Sequence, residues 1–424
     1  MRSHYKRIGD YVTQIKLKNT DDSISSLKGI NINKHFMPSV ANINGTDLSK
    51  YRVVKKNQFA FNPMHVGRDE VLPISMLEDD EPIIVSPAYV VFEVKDEEEL
   101  LPAYLMMWCR RSEFDRNAWF MTDNSVRGGF SWADFCDMEL PVPSIEKQRE
   151  IVREYNVVND RIALNEQLTQ KLEDTAQAIY KQWFVDFEFP ISKEYAESIS
   201  KPELEGKPYK SSGGEMAYSD VLEKEVPKGW DLVSFSEICS LGSSKRVFQN
   251  EYVQSGVPFY RGKEVTLKQN GELIDDPLFI SEDRFAELDS KFGCPTRGDI
   301  LITAVGTIGS TYLVQGEKFY FKDGNIIWLK DFIYPKASLY VFDFMQSQAF
   351  SDYISDITIG STQSAITIKS LGGCLCLMPE ANLLAQYCEI SESIKKHYES
   401  VCNEKPTLKM LSNLILTKLS TSKA

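Results

Sequence analysis

From Ile145 to Phe187 the chain contains neither glycine nor proline. Within that stretch apolar residues recur at steps of three and four: Val152, Tyr155, Val158, Ile162, Leu164, Leu168, Leu172, Ala176, Ile179 and Trp183. A repeat this close to 3.5 residues predicts a long helix packed against a second one, coiled-coil fashion. At 1.5 Å per residue such a helix reaches roughly 60 Å, longer than a small domain is wide, so it is expected to act as a spacer. A second seam runs through Leu383, Leu384, Tyr387, Ile390, Ile394, Tyr398, Val401, Leu408, Leu411, Ile415 and Leu419. Pro406 lies inside it, where a missing N–H and a ring clash predict a kink or a short break.

Each seam follows a segment of different texture. Residues 1–144 read as a mixed α/β domain, with strand-like runs at Gln58–Phe61 and Ile83–Val94 and a helical run at Leu100–Phe114 whose Pro102 suits a first turn. Residues 145–188 form the first spacer helix. Residues 189–228 hold Pro190, Pro202, Gly206, Pro208, Gly213, Gly214 and Pro227 among mixed charges and read as a linker. Residues 229–380 read as a second mixed domain, and 381–424 as the second spacer helix. The length of 424 residues suits this division into more than one core.

The layout is a domain and then a long helix, twice, and local matches point to duplication. The run Gly128–Phe135 leading to Pro143 pairs with Ser364–Leu371 leading to Pro379, 236 positions on (143 to 379). Lys56–Phe61 pairs with Arg297–Ile302, 241 positions on (56 to 297). The expected fold class is therefore α+β: two similar mixed α/β domains separated by two long antiparallel helices, with a pseudo-two-fold internal repeat.

Motifs for independent catalysis are scarce. The chain has no G-x-x-x-x-G-K-[ST] and no G-x-G-x-x-G phosphate cradle. Asn62-Pro63-Met64-His65 departs from the Asn-Pro-Pro-aromatic loop of amino-methyltransferases in its last two residues, and a strand-to-turn corner is the plainer reading. Glu93-Val94-Lys95, with Asp79 and Asp80 upstream, has the outline of a metal-dependent nuclease motif, but such triplets are common where a strand leaves the core. Eight cysteines without a C-x-x-C pair and four histidines leave little for a zinc site, so reduced, mostly buried thiols in a cytoplasm are expected. No apolar run approaches the roughly 18 residues needed to cross a membrane, and the basic N-terminus lacks a signal peptide's apolar stretch.

Polar and basic loops offer a different chemistry. Lysine and arginine supply phosphate affinity, while Arg, Asn, Gln and Ser can read base edges. The candidates in the first domain are Asn62, His65, Arg68, Asn124, Ser125 and Arg127. In the second they are Lys245, Arg246, Arg261, Lys263, Thr303, Thr307, Ser361 and Gln363. The bland reading of each is a solvated loop or a hairpin turn. Equivalent polar loops on duplicated domains point instead to two recognition sites of one kind.

Three stretches together resemble the specificity subunits of type I restriction-modification systems. They are Leu140-Pro141-Val142-Pro143-Ser144-Ile145-Glu146-Lys147-Gln148-Arg149-Glu150-Ile151 at the helix entry, Arg297-Gly298-Asp299-Ile300-Leu301-Ile302 followed by Gly306 and Gly309, and the helix end Tyr180-Lys181-Gln182-Trp183-Phe184-Val185-Asp186-Phe187. The resemblance covers the layout of the whole chain. It departs at Lys56-Asn57-Gln58, where Gly-Asp is expected, and at the second helix entry, Met378-Pro379-Glu380 to Gln386.

The resemblance implies two target recognition domains, each reading half of a split double-stranded DNA sequence, with the gap set by the helices. It further implies a non-catalytic chain without cofactor or metal of its own. Its partners would be two methyltransferase subunits using S-adenosylmethionine and two restriction/translocase subunits using ATP and Mg²⁺. Candidate partner-binding residues on the helices are Gln148, Tyr155, Ile162, Leu168, Trp183, Phe184, Ile390, Ile394 and Leu411. A net charge of −13 requires focused basic residues or charge borrowed from partners if DNA is the ligand. Two rivals stand beside this reading: a non-DNA scaffold with two interaction domains on a helical hairpin, and an enzyme in its own right.

Overall fold

The computed structural model describes residues 5–39, 46–64, 66–122, 129–334, 336–358 and 364–421. The first spacer helix spans Ile145–Tyr180 and closes on a π-turn, Lys181–Val185. The second spans Ala381–Lys418 as one continuous helix with Pro406 inside it, so the chain does not break there. Pro406 is exposed. The chain divides into two compact units, residues 1–164 with 405–424 and residues 165–404.

In the first unit a four-stranded antiparallel sheet runs in the order Val12–Ile15, Val90–Val94, Phe59–Phe61, Ile74–Met76. The strand Tyr5–Arg7 pairs with Glu139–Pro141, the last strand before the long helix. Helices Pro102–Cys109, Ser112–Met121 and Trp132–Asp137 complete the lobe. Its core is aromatic: Phe59 stacks on Phe92 at 4.8 Å, and Phe61 on Phe135 at 5.4 Å. Ile151, Tyr155 and Val158 of the first long helix and Ile415 and Leu419 of the second close this core.

The second unit repeats the arrangement strand for strand. Its corresponding sheet runs Ser240–Gly242, Ile326–Lys330, Ile300–Thr303, Thr311–Leu313. Asp231–Ser234 pairs with Leu375–Met378, again the last strand before a long helix. Helices Ala337–Met345, Gln348–Ile357 and Ile368–Gly372 follow in the same order. This lobe adds a second four-stranded sheet and the helices Gly262–Gln269 and Glu282–Phe292. Within this unit Asn165 meets Glu404 and Tyr180 packs on Tyr387, so the long helices run antiparallel.

Single hydrogen bonds repeat as well. Tyr104 Oη donates to the Pro141 carbonyl, and Tyr340 Oη to that of Leu377. Ser131 and Asp134 cap one short helix reciprocally; Thr367 and Ser370 cap its counterpart. The departure at Lys56-Asn57-Gln58 also resolves. Asn57 has φ 63° where Gly298 has φ 93°, both in the left-handed region that only glycine and a few short polar residues such as asparagine visit readily. Gln58 Oε1 accepts from the Lys55 N–H at 2.9 Å, as Asp299 Oδ2 accepts from the Thr296 N–H at 2.8 Å. Asn and Gln therefore build the turn that Gly and Asp build in the second lobe.

Two sequence expectations need correcting. Residues 189–228 are not an extended linker. Phe189, Ile191, Ala196, Tyr209 and Val226 are buried in the second unit's core, and Met216–Ser219 pairs with Lys224–Pro227 as a hairpin. Phe189 stacks on both Tyr209 and Trp230, so the aromatic residues hold a segment whose Pro and Gly supply its turns. The run from Ile83 to Val94 is two strands, Ile83–Val85 and Val90–Val94, separated by a turn and belonging to different sheets.

Candidate nucleic-acid interface

In each lobe the loops at one end of the repeated sheet are tied together in the same way. The Phe130 N–H donates to the Pro63 carbonyl, and the Ile366 N–H donates to that of Ala304. The residue that precedes the cap of each short helix, Phe130 or Ile366, is thereby fastened to the segment that leaves the strand Phe59–Phe61 or Ile300–Thr303. His65, Asn124, Ser125, Arg127, Ser361 and Gln363 lie outside the described residues, as does the side chain of Arg68.

The remaining first-lobe candidate, Asn62, is a turn-former. Its Oδ1 accepts from the Met64 N–H at 3.0 Å, which makes Asn62-Pro63-Met64 a corner. Glu93 accepts from Gln58 Nε2 at 2.8 Å, and Lys95 Nζ donates to the carbonyls of Gly9 and Asp10. These bonds account for the Glu-x-Lys triplet structurally. Among the described residues no group of three or more His, Cys, Asp or Glu could hold a metal ion, and no helix is long and apolar enough to cross a membrane. All eight cysteines are free thiols.

The second lobe brings its basic candidates together. Ser243 Oγ donates to the Ile326 carbonyl and accepts from the Gly324 N–H, and Ser244 Oγ donates to the Phe321 carbonyl. The loop 243–246 is thus stapled to the turn 322–325. That turn is joined in its own right to the strand ending at Tyr260 through the Lys322 N–H and the Tyr260 carbonyl, at 2.8 Å. Lys245, Arg246 and Lys263 are exposed along this rim, and Lys245 Nζ sits 4.9 Å from the centre of the Phe292 ring. Arg246 Nε donates to Asp323, and Arg261 grips Glu264 with both Nε and Nη2. Burial works against the Glu264 carboxylate, yet the hydrogen bonds from Arg261 prevail and hold its pKa below the usual range.

Thr307 is exposed beside Gly306 at the tip of a hairpin, as a contact residue would be. Thr303 is not available: it is buried, and its Oγ1 donates to the Thr307 carbonyl while accepting from the Ser310 N–H. Sequence reading passed over the turn Lys322-Asp323-Gly324-Asn325. A polar glycine turn between Tyr320-Phe321 and Ile326-Ile327 was the available signal.

The helices also differ from the reading of their seam. Gln148, Tyr155, Trp183 and Phe184 are buried within their own units and cannot face a partner. Ile162 and Ile394 are half-buried, whereas Leu168, Ile390 and Leu411 are exposed. Midway along the first helix, between Val158 and Ala176, the buried positions are Asn165 and Thr169, while Leu164 and Leu168, one residue away, are 53% and 40% exposed. One residue is a 100° turn of the helix, so polar groups fill the seam and leucines stand outside it.

No family model matches the chain. It is 35% identical over 99 residues to a type I restriction enzyme specificity subunit of Haemophilus influenzae and 29% identical over 148 residues to the MjaIX specificity subunit of Methanocaldococcus jannaschii. Those matches span 24% and 29% of these relatives' own lengths. The HindI specificity subunit of Haemophilus influenzae matches over 370 residues at 22% identity, covering 78% of both chains. The crystal structure of the type I restriction-modification S subunit from M. genitalium superposes with a TM-score of 0.59 at 12% identity, covering 99% of this chain and 96% of that one. The chain is a relative of the type I specificity subunits. Its two mixed lobes and paired long helices are the fold of that S subunit.

Proposed function

We propose that this chain is the DNA-reading subunit of a type I restriction-modification complex. Each lobe reads one half of a bipartite double-stranded target, and the long helices dock two methyltransferase subunits, which two restriction/translocase subunits then join. The observation that carries the reading is the repetition of the rim. Both lobes fasten the start of a short capped helix to the end of the same sheet strand by the same hydrogen bond, Phe130 to Pro63 and Ile366 to Ala304. A scaffold protein has no need for two copies of one rim; a reader of a split sequence does.

The docking half of the proposal is supported by Val157, Leu164 and Leu168, apolar and exposed on the first helix, and by Met410, Leu411 and Leu414 on the second. Leucines outside a seam that is already filled suit a partner's surface. The chain itself supplies no catalytic group under this reading. Methyl transfer from S-adenosylmethionine, and ATP- and Mg²⁺-dependent translocation and cleavage, belong to the partners.

Adenine methylation mapped in cells that carry this chain and its methyltransferase tests the reading. The expected result is a single split motif with a constant gap. An unsplit motif, or methylation independent of this chain, would contradict it.

A further inference from the structure

We propose that Arg246 and Arg261 are the base-reading side chains of the second lobe, and that its half-site carries guanine where they face the duplex. The inference rests on the DNA-reading proposal above and adds the chemistry of one half of the target.

The two arginines differ from the lysines around them in being aimed. A guanidinium is a planar fork that can give two parallel N–H bonds to the O6 and N7 acceptors of guanine, and adenine, with a donor at N6, cannot accept both. An unrestrained arginine loses rotamer freedom to make that contact, whereas one held beforehand by a carboxylate loses less. Here each is held. Asp323 takes the Arg246 Nε–H at 3.0 Å and leaves Nη1 and Nη2 without an acceptor among the described residues. Glu264 takes Nε at 3.1 Å and Nη2 at 2.6 Å from Arg261, leaving Nη1 without an acceptor among the described residues. The Arg261 backbone N–H reaches the same carboxylate at 2.8 Å.

An exposed ion pair usually contributes little and holds nothing in place. These two differ because their acids are fixed. Glu264 is 1% exposed, a position where a carboxylate is costly unless paired. Asp323 sits in a turn stapled by Ser243 and Ser244 to the loop that carries Arg246. The arginine side chains themselves remain 69% and 41% exposed. The Lys322 N–H bonds the Tyr260 carbonyl at 2.8 Å, and Asp323 and Arg261 are the next residues along their segments, which puts the two pairs in one neighbourhood. In the first lobe the corresponding turn, Ser86-Pro87-Ala88-Tyr89, holds no carboxylate, and Arg52 Nε donates to the Pro87 carbonyl. The device belongs to the second lobe. Lys245 and Lys263, exposed point charges on the same rim, suit phosphates.

The test maps methylation in cells carrying the methyltransferase with wild-type chain, Arg246→Lys, Arg261→Lys or Asp323→Asn. The lysine variants keep the charge and remove the fork; Asp323→Asn leaves Arg246 in place and loosens its aim. Each lysine variant is expected to relax one guanine position of one half-site, the preference falling roughly 10- to 100-fold, with the other half unchanged. Asp323→Asn is expected to relax the same position as Arg246→Lys. Lysine variants that keep the wild-type motif would overturn the proposal, as would an even loss of methylation at all sites, the mark of phosphate contacts. A wild-type half-site with no guanine on either strand would overturn it too. A wild-type complex with no split motif would sink the DNA-reading proposal itself, a result distinct from an unrelaxed variant.

Discussion

Asp343→Ala is expected to destabilise the second unit by about 3–5 kcal/mol, the cost of stranding a buried charge. Asp343 is buried on the helix Ala337–Met345 and accepts from Tyr387 Oη at 2.8 Å, Ser391 Oγ at 2.7 Å and Lys395 Nζ at 2.7 Å. The three donors stand four residues apart and so form one stripe of the second long helix. Burial and the neighbouring Asp343 carboxylate push the Tyr387 hydroxyl far above its usual range, which keeps it protonated and donating. Without Asp343 the Lys395 ammonium, largely buried, loses its counter-charge. Tyr387→Phe removes one donor and leaves the ion pair, so it should cost only about 1 kcal/mol. Urea unfolding of the three proteins, followed by tryptophan fluorescence, makes the comparison. Equal small losses would mean that the carboxylate is solvated and fastens nothing.

Gln148→Leu is expected to cost the first unit about 2–3 kcal/mol, since three backbone groups, one buried and two partly buried, lose their partners at once. Gln148 is 0% exposed. Its Oε1 accepts from the Leu101 N–H, and its Nε2 donates to the carbonyls of Glu99 and Pro143, each at 2.9 Å. It joins the first turn of the long helix to the segment that opens the helix Pro102–Cys109. Gln148→Glu should cost more than leucine, because it sets a carboxylate oxygen against two carbonyl oxygens. Thermal unfolding at neutral pH ranks the pair, and a glutamate variant as stable as wild type would contradict the geometry. In each unit, then, a buried polar group fastens lobe to helix. The two units use different chemistry: an amide in the first and an ion pair in the second.

That difference shows where sequence reading stops. The duplication was legible because strands and caps tolerate substitutions that preserve pattern: Asn57 for Gly298, Gln58 for Asp299, Ser131 for Thr367. The length of the first helix was legible from the absence of breakers, whereas Pro406 obscured that of the second. Which residues face inward was not. Leu164 and Leu168 carry the apolar character, yet Asn165 and Thr169 occupy the seam, with Asn165 Nδ2 bonded to Glu404 at 3.0 Å. Hydrophobicity marks apolar stripes without saying which one meets the neighbouring helix and which stays free. The segment 189–228 misled for a related reason. Its Pro, Gly and Ser content signals turns, and only tertiary contact shows that Phe189 and Tyr209 anchor those turns to a core. The arginine pairs were visible as basic clusters, but Asp323 lies 77 residues from Arg246, beyond any local pattern.

Under the proposed function the two lobes are independent reading heads of one design. Exchanging residues 229–380 for the corresponding segment of the HindI specificity subunit, and mapping methylation in cells that carry the hybrid and this chain's methyltransferase, tests it most directly. The expected hybrid motif keeps one half of the wild-type sequence and the original gap and replaces the other half. A hybrid in which both halves change, or in which the wild-type motif persists whole, would contradict it.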